Sequence, residues 1–200
     1  MTVYTIGYAA FPEKERFFEE LVKRNVRLLI DVRSVPYSSF WAAYNRNVLE
    51  QDCKERGIYY RNYAEEFGAR QTSSEFITDG KVDFIKFAHS AVFQKGIQKV
   101  KSALEMDVVP CLMCAEKDPM TCHRSILIGK NMKEQGLDVV HILYNGLVES
   151  QEHMEERLME QFEDTSQQFS MFEQDKNNRD VLEKAYRNQA DKICFKLGDG

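Results

Sequence analysis

The sequence predicts an α/β protein with a mainly parallel sheet, helices on both faces of that sheet and a C-terminal helical extension. Short apolar runs that suit strands alternate with stretches of helical periodicity, which is the pattern of βαβ units. The chain of 200 residues is long enough to bury a core without disulfides or a structural metal. From about residue 147 only helical patterns follow. These observations predict a three-layer, Rossmann-like arrangement.

The first third of the chain supplies three predicted strands and two predicted helices. The first helical pattern has four apolar side chains at helical spacing, and a buried strand follows it. Gly57 ends the second helical pattern before a short strand. In chain order, these elements are the strand Val3–Ile6, the helix Glu13–Arg24, the strand Leu28–Val32, the helix Asn47–Arg56 and the strand Ile58–Arg61.

A long segment rich in Gly, Ser and Thr, Phe67–Lys81, separates these elements from the next ones and is predicted to be a functional loop. Further along, Asp118 is predicted to cap a helix that has Pro119 at its first position. The elements after the loop are the helices Val82–Ala91 and Gly96–Met106, the strand Val108–Cys114, the helix Met120–Gln135 and the strand Val139–Leu143.

The last quarter of the chain differs in charge. Residues 151–200 contain twelve acidic and seven basic residues, which accounts for the net charge of −5. We therefore predict an α/β domain over residues 1–150 and an acidic helical extension over residues 151–200. The extension is expected to pack on the core, on another protein or on a second copy of the chain. Its predicted elements are the helices Leu147–Phe162 and Asp180–Phe195, with the polar stretch Glu163–Arg179 between them.

Composition narrows the environment of the protein. No apolar run approaches the roughly 20 residues that cross a bilayer, and the N-terminus has no basic leader, so no membrane partner is expected. The five cysteines fit free thiols in a reducing compartment better than a disulfide framework, which predicts a cytoplasmic protein. Residues 1–150 carry equal numbers of acids and bases, which argues against a general DNA-coating role but allows a small basic cleft.

Several polar residues and glycines follow the predicted strands directly. Ligands of open parallel sheets bind beyond the carboxyl ends of the strands, so we expect these residues to gather at one rim. They are Gly7 and Tyr8 after the first strand, Asp31, Arg33 and Ser34 after the second, Cys114 and Glu116 after the most apolar one, and Asn145 and Gly146 after the last.

The segment Cys114–Arg124, CAEKDPMTCHR, is the main candidate for chemistry. The N-terminus of the predicted helix would favour an anion, and Arg124 in its first turns would hold a phosphate or carboxylate. Near such a helix start Cys114 would have a lowered pKa and act as a nucleophile, while Glu116 or His123 would move protons. The alternative is that Cys114 is an inert, buried strand residue.

The same segment raises the question of a metal, because Cys114, Cys122 and His123 are all ligand types. The spacing C-x7-C-H is not a standard zinc pattern, and two neighbours on a helix would point about 100° apart. A full site would also need a distant ligand such as His141. No metal and no cofactor are therefore predicted.

Two further observations restrict the function. Asp31 and Arg33 at a strand end form either a structural ion pair or part of a catalytic and ligand-binding site.

The chain has no glycine-rich dinucleotide fingerprint and no P-loop, which argues against a dehydrogenase and a P-loop nucleotidase.

Five motifs together resemble the domain of unknown function 488 family over about residues 1–150. They are TIGY at Thr5–Tyr8, DVRSVPYS at Asp31–Ser38, FGAR at Phe67–Arg70, CAEKDPMTCHRS at Cys114–Ser125 and HILYNG at His141–Gly146. The resemblance implies a compact α/β domain with these motifs near one cleft, and it implies no settled activity. The family usually has Leu-Gly-Gly where this chain has Phe67-Gly68-Ala69, but Gly68 is kept for a turn or a close approach to ligand.

Three functions remain open on the sequence alone. The first is a hydrolase or transferase that acts on a phosphate-bearing ligand, either a nucleotide or a nucleic acid, held by Arg33 and Arg124. Its acid, base or nucleophile would come from Asp31, Cys114, Glu116 and His123. The second is a non-catalytic module that recognises a nucleotide or nucleic acid in the same cleft. The third is thiol redox or metal chemistry.

Overall fold

The computed structural model describes residues 1–165 and 174–198, and eight strands lie in this part of the chain. They are β1 (Thr2–Gly7), β2 (Leu28–Asp31), β3 (Tyr59–Asn62), β4 (Ile77–Thr78), β5 (Lys81–Val82), β6 (Pro110–Cys114), β7 (Asp138–Ile142) and β8 (Val148–Ser150). Six of them form one sheet in the order β3-β2-β6-β1-β7-β8, and β4 and β5 form a separate hairpin. Every pair in the large sheet is parallel except β7 and β8.

The helices alternate with these strands. They are α1 (Lys14–Lys23), α2 (Arg46–Glu55), α3 (Ala64–Phe67), α4 (Phe84–Ala88), α5 (Ala91–Glu105), α6 (Lys130–Glu134), α7 (Gln151–Thr165) and α8 (Gln174–Ile193). A π-helical segment, Arg124–Gly129, leads directly into α6. Within the described residues, no helix combines the length and the apolar character that crossing a membrane requires.

Helices cover both faces of the sheet, as predicted. On one face α1 and α2 bury Phe17, Leu21 and Leu49 in the same cluster as Leu29 of β2. On the other face the remaining long helices share a second cluster with the sheet. Residues of that second cluster include Val3, Ile30, Leu112, Phe93, Ile97, Ile126, Met154 and Tyr186. The fold is therefore an α/β sandwich of three layers.

The strand order determines where the candidate site lies. The central strand β6 lies between β1 and β2, with Gly7 opposite Cys114 and Asp31 opposite Met113. Because these strands are parallel, their carboxyl ends meet at one edge of the sheet. Three segments that the sequence singled out, which follow β1, β2 and β6, are therefore neighbours.

The C-terminal helices pack on the second core, with Leu158 of α7 and Ala185 of α8 buried there. A buried polar network joins them to the sheet. His141 of β7 accepts a hydrogen bond from Thr5 at Nδ1 and donates to Gln151 through Nε2, and Gln151 in turn donates to the Tyr186 hydroxyl. Part of the predicted polar stretch Glu163–Arg179, residues 166–173, lies outside the described residues.

Two predicted helices begin later than the sequence suggested. Asp118 accepts a hydrogen bond from the Met120 amide as expected of a cap, but only a 3₁₀ turn follows. Cys122 is then extended, and the helical backbone resumes after His123. In the second case α7 starts at Gln151 because the preceding residues, Val148–Ser150, pair with β7 as an edge strand.

Candidate functional site

A cleft of about 540 Å³ opens at the carboxyl ends of β1, β2 and β6. Six residues that the sequence predicted for the site line it, namely Tyr8, Arg33, Ser34, Cys114, Glu116 and His123. Residues from the loop after β2, from the segment after α3 and from the end of α8 complete its walls. A second cavity of about 580 Å³, between α4 and α8, contains none of the predicted site residues.

The loop that follows β6 is fixed from two sides. On one side it packs on β1, because the Ala9 amide donates to the Ala115 carbonyl at 3.0 Å. On the other side the Arg124 guanidinium donates to the carbonyls of Glu116 at 2.7 Å and Lys117 at 3.4 Å. Arg124 is fully buried and does not line the cleft. It therefore holds the loop in place, and it is not an exposed grip for an anion.

Four reactive side chains converge at the floor of the cleft. The ligand atoms of Cys114, Glu116, Cys122 and His123 all lie within 4.8 Å of one another, close enough to hold a metal ion. Cys122 Sγ lies 2.8 Å from Glu116 Oε2, and Cys114 Sγ lies 3.8 Å from His123 Nδ1. We call this set the thiol cluster.

Cys122 joins the thiol cluster because of its backbone. The sequence placed Cys122 and His123 side by side on a helix, where their side chains would diverge. The structure corrects this, since Cys122 has φ −129° and ψ 139° and His123 is the first residue with helical angles. The extended backbone at Cys122 lets both side chains reach Cys114. The geometric objection to a metal was therefore wrong.

The thiols of the cluster differ in their tendency to ionise. Burial raises the pKa of Cys114 well above its usual value, and the neighbouring Cys122 raises it further. Burial also opposes ionisation of Cys122, but a hydrogen bond from Cys114 and the charge of Arg124 hold its pKa well below the usual value. Burial, with the adjacent Cys122, raises the pKa of Glu116. The direction of these shifts favours Cys122 over Cys114 as the thiol that ionises more readily.

Asp31 and Arg33 form a buried, two-pronged ion pair. Arg33 Nε donates to Asp31 Oδ1 at 2.8 Å, and its Nη2 donates to Asp31 Oδ2 at 2.5 Å. The Tyr60 hydroxyl also donates to Asp31 at 2.6 Å. Asp31 is fully buried and outside the cleft lining, so it orients Arg33. Arg33 Nη1 has no hydrogen-bond partner among the described residues.

The loop after β2 and the segment after α3 meet at Ser34. Ser34 Oγ accepts a hydrogen bond from the Arg70 amide at 2.8 Å. A Cβ on Gly68 would stand only 2.7 Å from Ser34 Oγ, so glycine permits this close approach. The Arg70 side chain is exposed in the cleft, with Cζ 5.4 Å from the centre of the Phe195 ring. Arg70 was within the FGAR motif but was not predicted as a ligand contact.

Asn145 and Gly146 lie elsewhere. Asn145 Oδ1 accepts a hydrogen bond from the Leu147 amide at 3.1 Å, and Gly146 has φ +76°. The Gly146 carbonyl accepts from Arg24 of α1 at 2.8 Å. These two residues build the turn between β7 and β8 and do not line the cleft.

The fold and the site together define a class of protein. It is a three-layer α/β domain whose cleft, at the carboxyl ends of parallel strands, joins an arginine to a buried cluster of thiol, imidazole and carboxylate groups. The chain belongs to the family described as Domain of unknown function DUF488, which matches residues 13–130. This match includes the loop after β2 and the whole thiol cluster. No curated protein and no solved structure matches the chain.

Proposed function

We propose that this protein is an enzyme, a hydrolase or transferase, that acts on a phosphate-bearing ligand in the cleft. The observation that carries the proposal is Arg33, whose side chain is 6% exposed and whose Nη1 lacks a partner among the described residues. A buried donor without a partner costs about 1–3 kcal/mol, which an acceptor oxygen of a ligand would recover. Arg33 lines the cleft beside Cys114, Glu116 and His123.

The two arginines of the cleft, Arg33 and Arg70, would contact the ligand in different ways. Asp31 neutralises the charge of Arg33, so Arg33 would act chiefly as an oriented hydrogen-bond donor. Arg70 is exposed, with no ion pair among the described residues, and would supply positive charge to an anion. Guanidinium groups suit phosphate because their N–H groups match its oxygens in pairs.

Aromatic rings favour a nucleotide or a nucleic acid over a simple phosphate. Tyr37 lines the cleft and is 58% exposed, so its ring is available to stack on a base. Tyr8 lines it too, with the Arg33 guanidinium 5.1 Å from its ring centre. Stacking on an exposed aromatic ring contributes about 1–3 kcal/mol per base.

Glu116 and His123 are the groups that would move protons in the reaction. Glu116 is partly exposed to the cleft and its pKa is raised by burial, which suits a carboxyl group that gives and takes a proton. His123 faces the cleft as well, and its Nε2 is fixed by a bond to the Val32 carbonyl. Asp31 is not assigned such a role, because both of its oxygens are already bound.

The proposal is tested by a thermal-shift screen against nucleotides, phosphosugars and short nucleic acids, with wild type and Arg70→Ala compared. A ligand present at 100 times its dissociation constant should stabilise wild type by about 2.7 kcal/mol. Arg61→Ala is the matched control, since Arg61 is an exposed arginine on β3 outside the cleft. We expect the stabilisation to persist in Arg61→Ala and to be lost in Arg70→Ala. Equal responses of the two variants would exclude this cleft as the anion site.

Glu116→Gln then separates an enzyme from a binding module. An enzyme should keep its affinity for the ligand found in the screen and lose turnover by at least about 10²-fold. If no turnover of any bound ligand is detected in wild type, the non-catalytic module becomes the better description of the same cleft.

A further inference from the structure

We infer that Cys114, Glu116, Cys122 and His123 bind one divalent metal ion that favours sulfur ligands, such as Zn²⁺. The four ligand atoms belong to the residue types that coordinate zinc in proteins. They come from the last residue of β6 and from the short segment that leads to the π-helical segment. The binding of the ion needs no phosphate ligand, so it is a property separate from the proposed function.

Two distances in the cluster can be compared with the edges of a tetrahedral site. With a Zn–S bond of about 2.3 Å and Zn–N and Zn–O bonds of about 2.1 Å, the edge between a sulfur and a nitrogen or oxygen ligand is about 3.6 Å. Cys114 Sγ lies 3.8 Å from His123 Nδ1, which is nearly that edge. Cys122 Sγ and Glu116 Oε2 are hydrogen-bonded at 2.8 Å. The distance between them would have to increase by less than about 1 Å to reach that edge.

The imidazole of His123 is already oriented as a metal ligand. Its Nε2 lies 3.1 Å from the Val32 carbonyl oxygen, which can only accept, so Nε2 carries the hydrogen. Nδ1 is then the ring atom that faces the thiol cluster. A bond from the second ring nitrogen to a backbone carbonyl is the usual support of a histidine that binds a metal.

The buried charge of Arg124 is an independent sign of an anionic cluster. Its side chain is fully buried, its Nε has no partner, and no carboxylate of the described residues forms an ion pair with it. A buried cation needs a counter-charge, and an anionic form of the cluster would supply it. Two thiolates, one carboxylate and a divalent ion would carry one net negative charge, which Arg124 would neutralise. Its backbone amide also donates to Cys122 Sγ at 3.4 Å.

The position of the cluster indicates that a bound ion would face the cleft. Cys114, Glu116 and His123 line the cleft, and Glu116 is the one ligand of the four that is partly exposed. Departure of Glu116 would leave two cysteines and one histidine with an open position, as in catalytic zinc sites. A Lewis acid beside Arg33 would polarise a phosphate oxygen, and with His123 bound to the ion the released Glu116 would be the group that moves a proton. This catalytic use, unlike the binding itself, rests on the proposed function.

Titration of the reduced, metal-free protein with Co²⁺ tests the site directly. We expect one ion per chain, with the visible bands of tetrahedral cobalt and a thiolate-to-cobalt charge-transfer band, and the release of protons from the thiols. Cys122→Ala should weaken binding by more than about 100-fold. Mutation of residues that only support the ligands of a metal site already weakens binding by up to about 100-fold, and Cys122 would itself be a ligand. Cys111→Ala is the matched control. Cys111 is a buried cysteine of β6, the strand that ends at Cys114, and its thiol lies outside the cluster.

A measurement on wild type alone keeps the test decisive if Cys122→Ala does not fold. X-ray absorption of the zinc-loaded protein should find two sulfur ligands at about 2.3 Å. Binding with no sulfur ligand, or an equal loss of binding in Cys111→Ala, would overturn the inference. Metal binding that survives while Arg70→Ala and wild type respond alike to every phosphate ligand would leave the metal site standing and remove the proposed function.

Discussion

Gly7 and Glu116 meet backbone to backbone, and a Cβ on Gly7 would stand 1.8 Å from the Glu116 carbonyl oxygen. The same atom would lie 3.2 Å from Arg124 Nη1, which binds that carbonyl. Neither of these neighbours is free to move, because the buried Arg124 guanidinium and the Glu116 carbonyl are hydrogen-bonded to each other. Glycine is therefore required at the end of β1 for the thiol cluster to form.

Replacement of Gly7 by alanine should displace the loop while the sheet remains folded. We expect a loss of stability of about 1–3 kcal/mol, as for other overpacked interior positions, together with weaker binding of Co²⁺. Urea unfolding and the cobalt titration measure the two effects. Gly136→Ala is the control, since a Cβ there meets no atom within 4 Å although its φ of +82° adds backbone strain. Unchanged cobalt affinity in Gly7→Ala would contradict this account of the loop.

Replacement of Arg124 by glutamine should lower the stability of the protein, because Arg124 holds the loop after β6 and does not line the cleft. Two partly buried loop carbonyls, those of Glu116 and Lys117, would lose their donors, and a carbonyl left unsatisfied away from water costs about 1–3 kcal/mol. The urea midpoint of Arg124→Gln should fall accordingly. Arg46→Gln, at an exposed arginine, should leave the midpoint unchanged. A stable Arg124→Gln protein would mean that the loop is held by other contacts.

Stability should fall as the pH is lowered from about 6.5 to 4, because of His141. Burial, assisted by the charge of Arg124, lowers the pKa of His141 from 6.5 to about 4. In that interval the unfolded chain binds a proton that the folded chain excludes, so acid favours unfolding, by on the order of 3 kcal/mol at pH 4. Urea midpoints measured across this range should lose much of their pH dependence in His141→Gln. The exposed His89→Gln should retain it, and equal slopes in the two variants would refute the assignment.

Tyr186 ties α8 to the rest of the molecule through its hydroxyl. This group accepts from Gln151 Nε2 and donates to Glu155 Oε1, each at 2.8 Å. Tyr186→Phe should therefore cost about 1–3 kcal/mol and increase hydrogen exchange in α8. Tyr59→Phe, at a tyrosine that is 63% exposed, should change neither quantity. If exchange in α8 is the same in both proteins, contacts other than the Tyr186 hydroxyl hold the helix.

The sequence predicted the five parallel strands to within two residues at every end, because four of them are short, largely buried apolar runs and the fifth, β3, follows a helix that stops at Gly57. It did not predict β8, since Val148–Ser150 is too short to show alternation and pairs only through its neighbour β7. The order of the strands in the sheet could not be predicted from the sequence either. The pairing of β6 with both β1 and β2 depends on contacts between segments far apart in the chain.

Six of the residues that the sequence singled out line the cleft, whereas Cys122, Arg70 and Phe195 were not among the predicted site residues. Residues directly after strands, such as Arg33 and Glu116, follow from the rule for parallel sheets. Cys122 was placed on a helix because a cap and a proline precede it, whereas the backbone turns extended after one 3₁₀ turn. Phe195 reaches the cleft from the end of α8, and no local pattern signals that distant contact.

The central place of β6 also has a consequence for synthesis on the ribosome. β1 and β2 are made early but are neighbours of β6, so neither can complete its pairing until residues 110–114 have left the exit tunnel. Until then the nascent chain presents unpaired strand edges, which are sites of aggregation. A chain cut short before residue 110 should therefore engage chaperones or precipitate, even though it contains more than half of the protein.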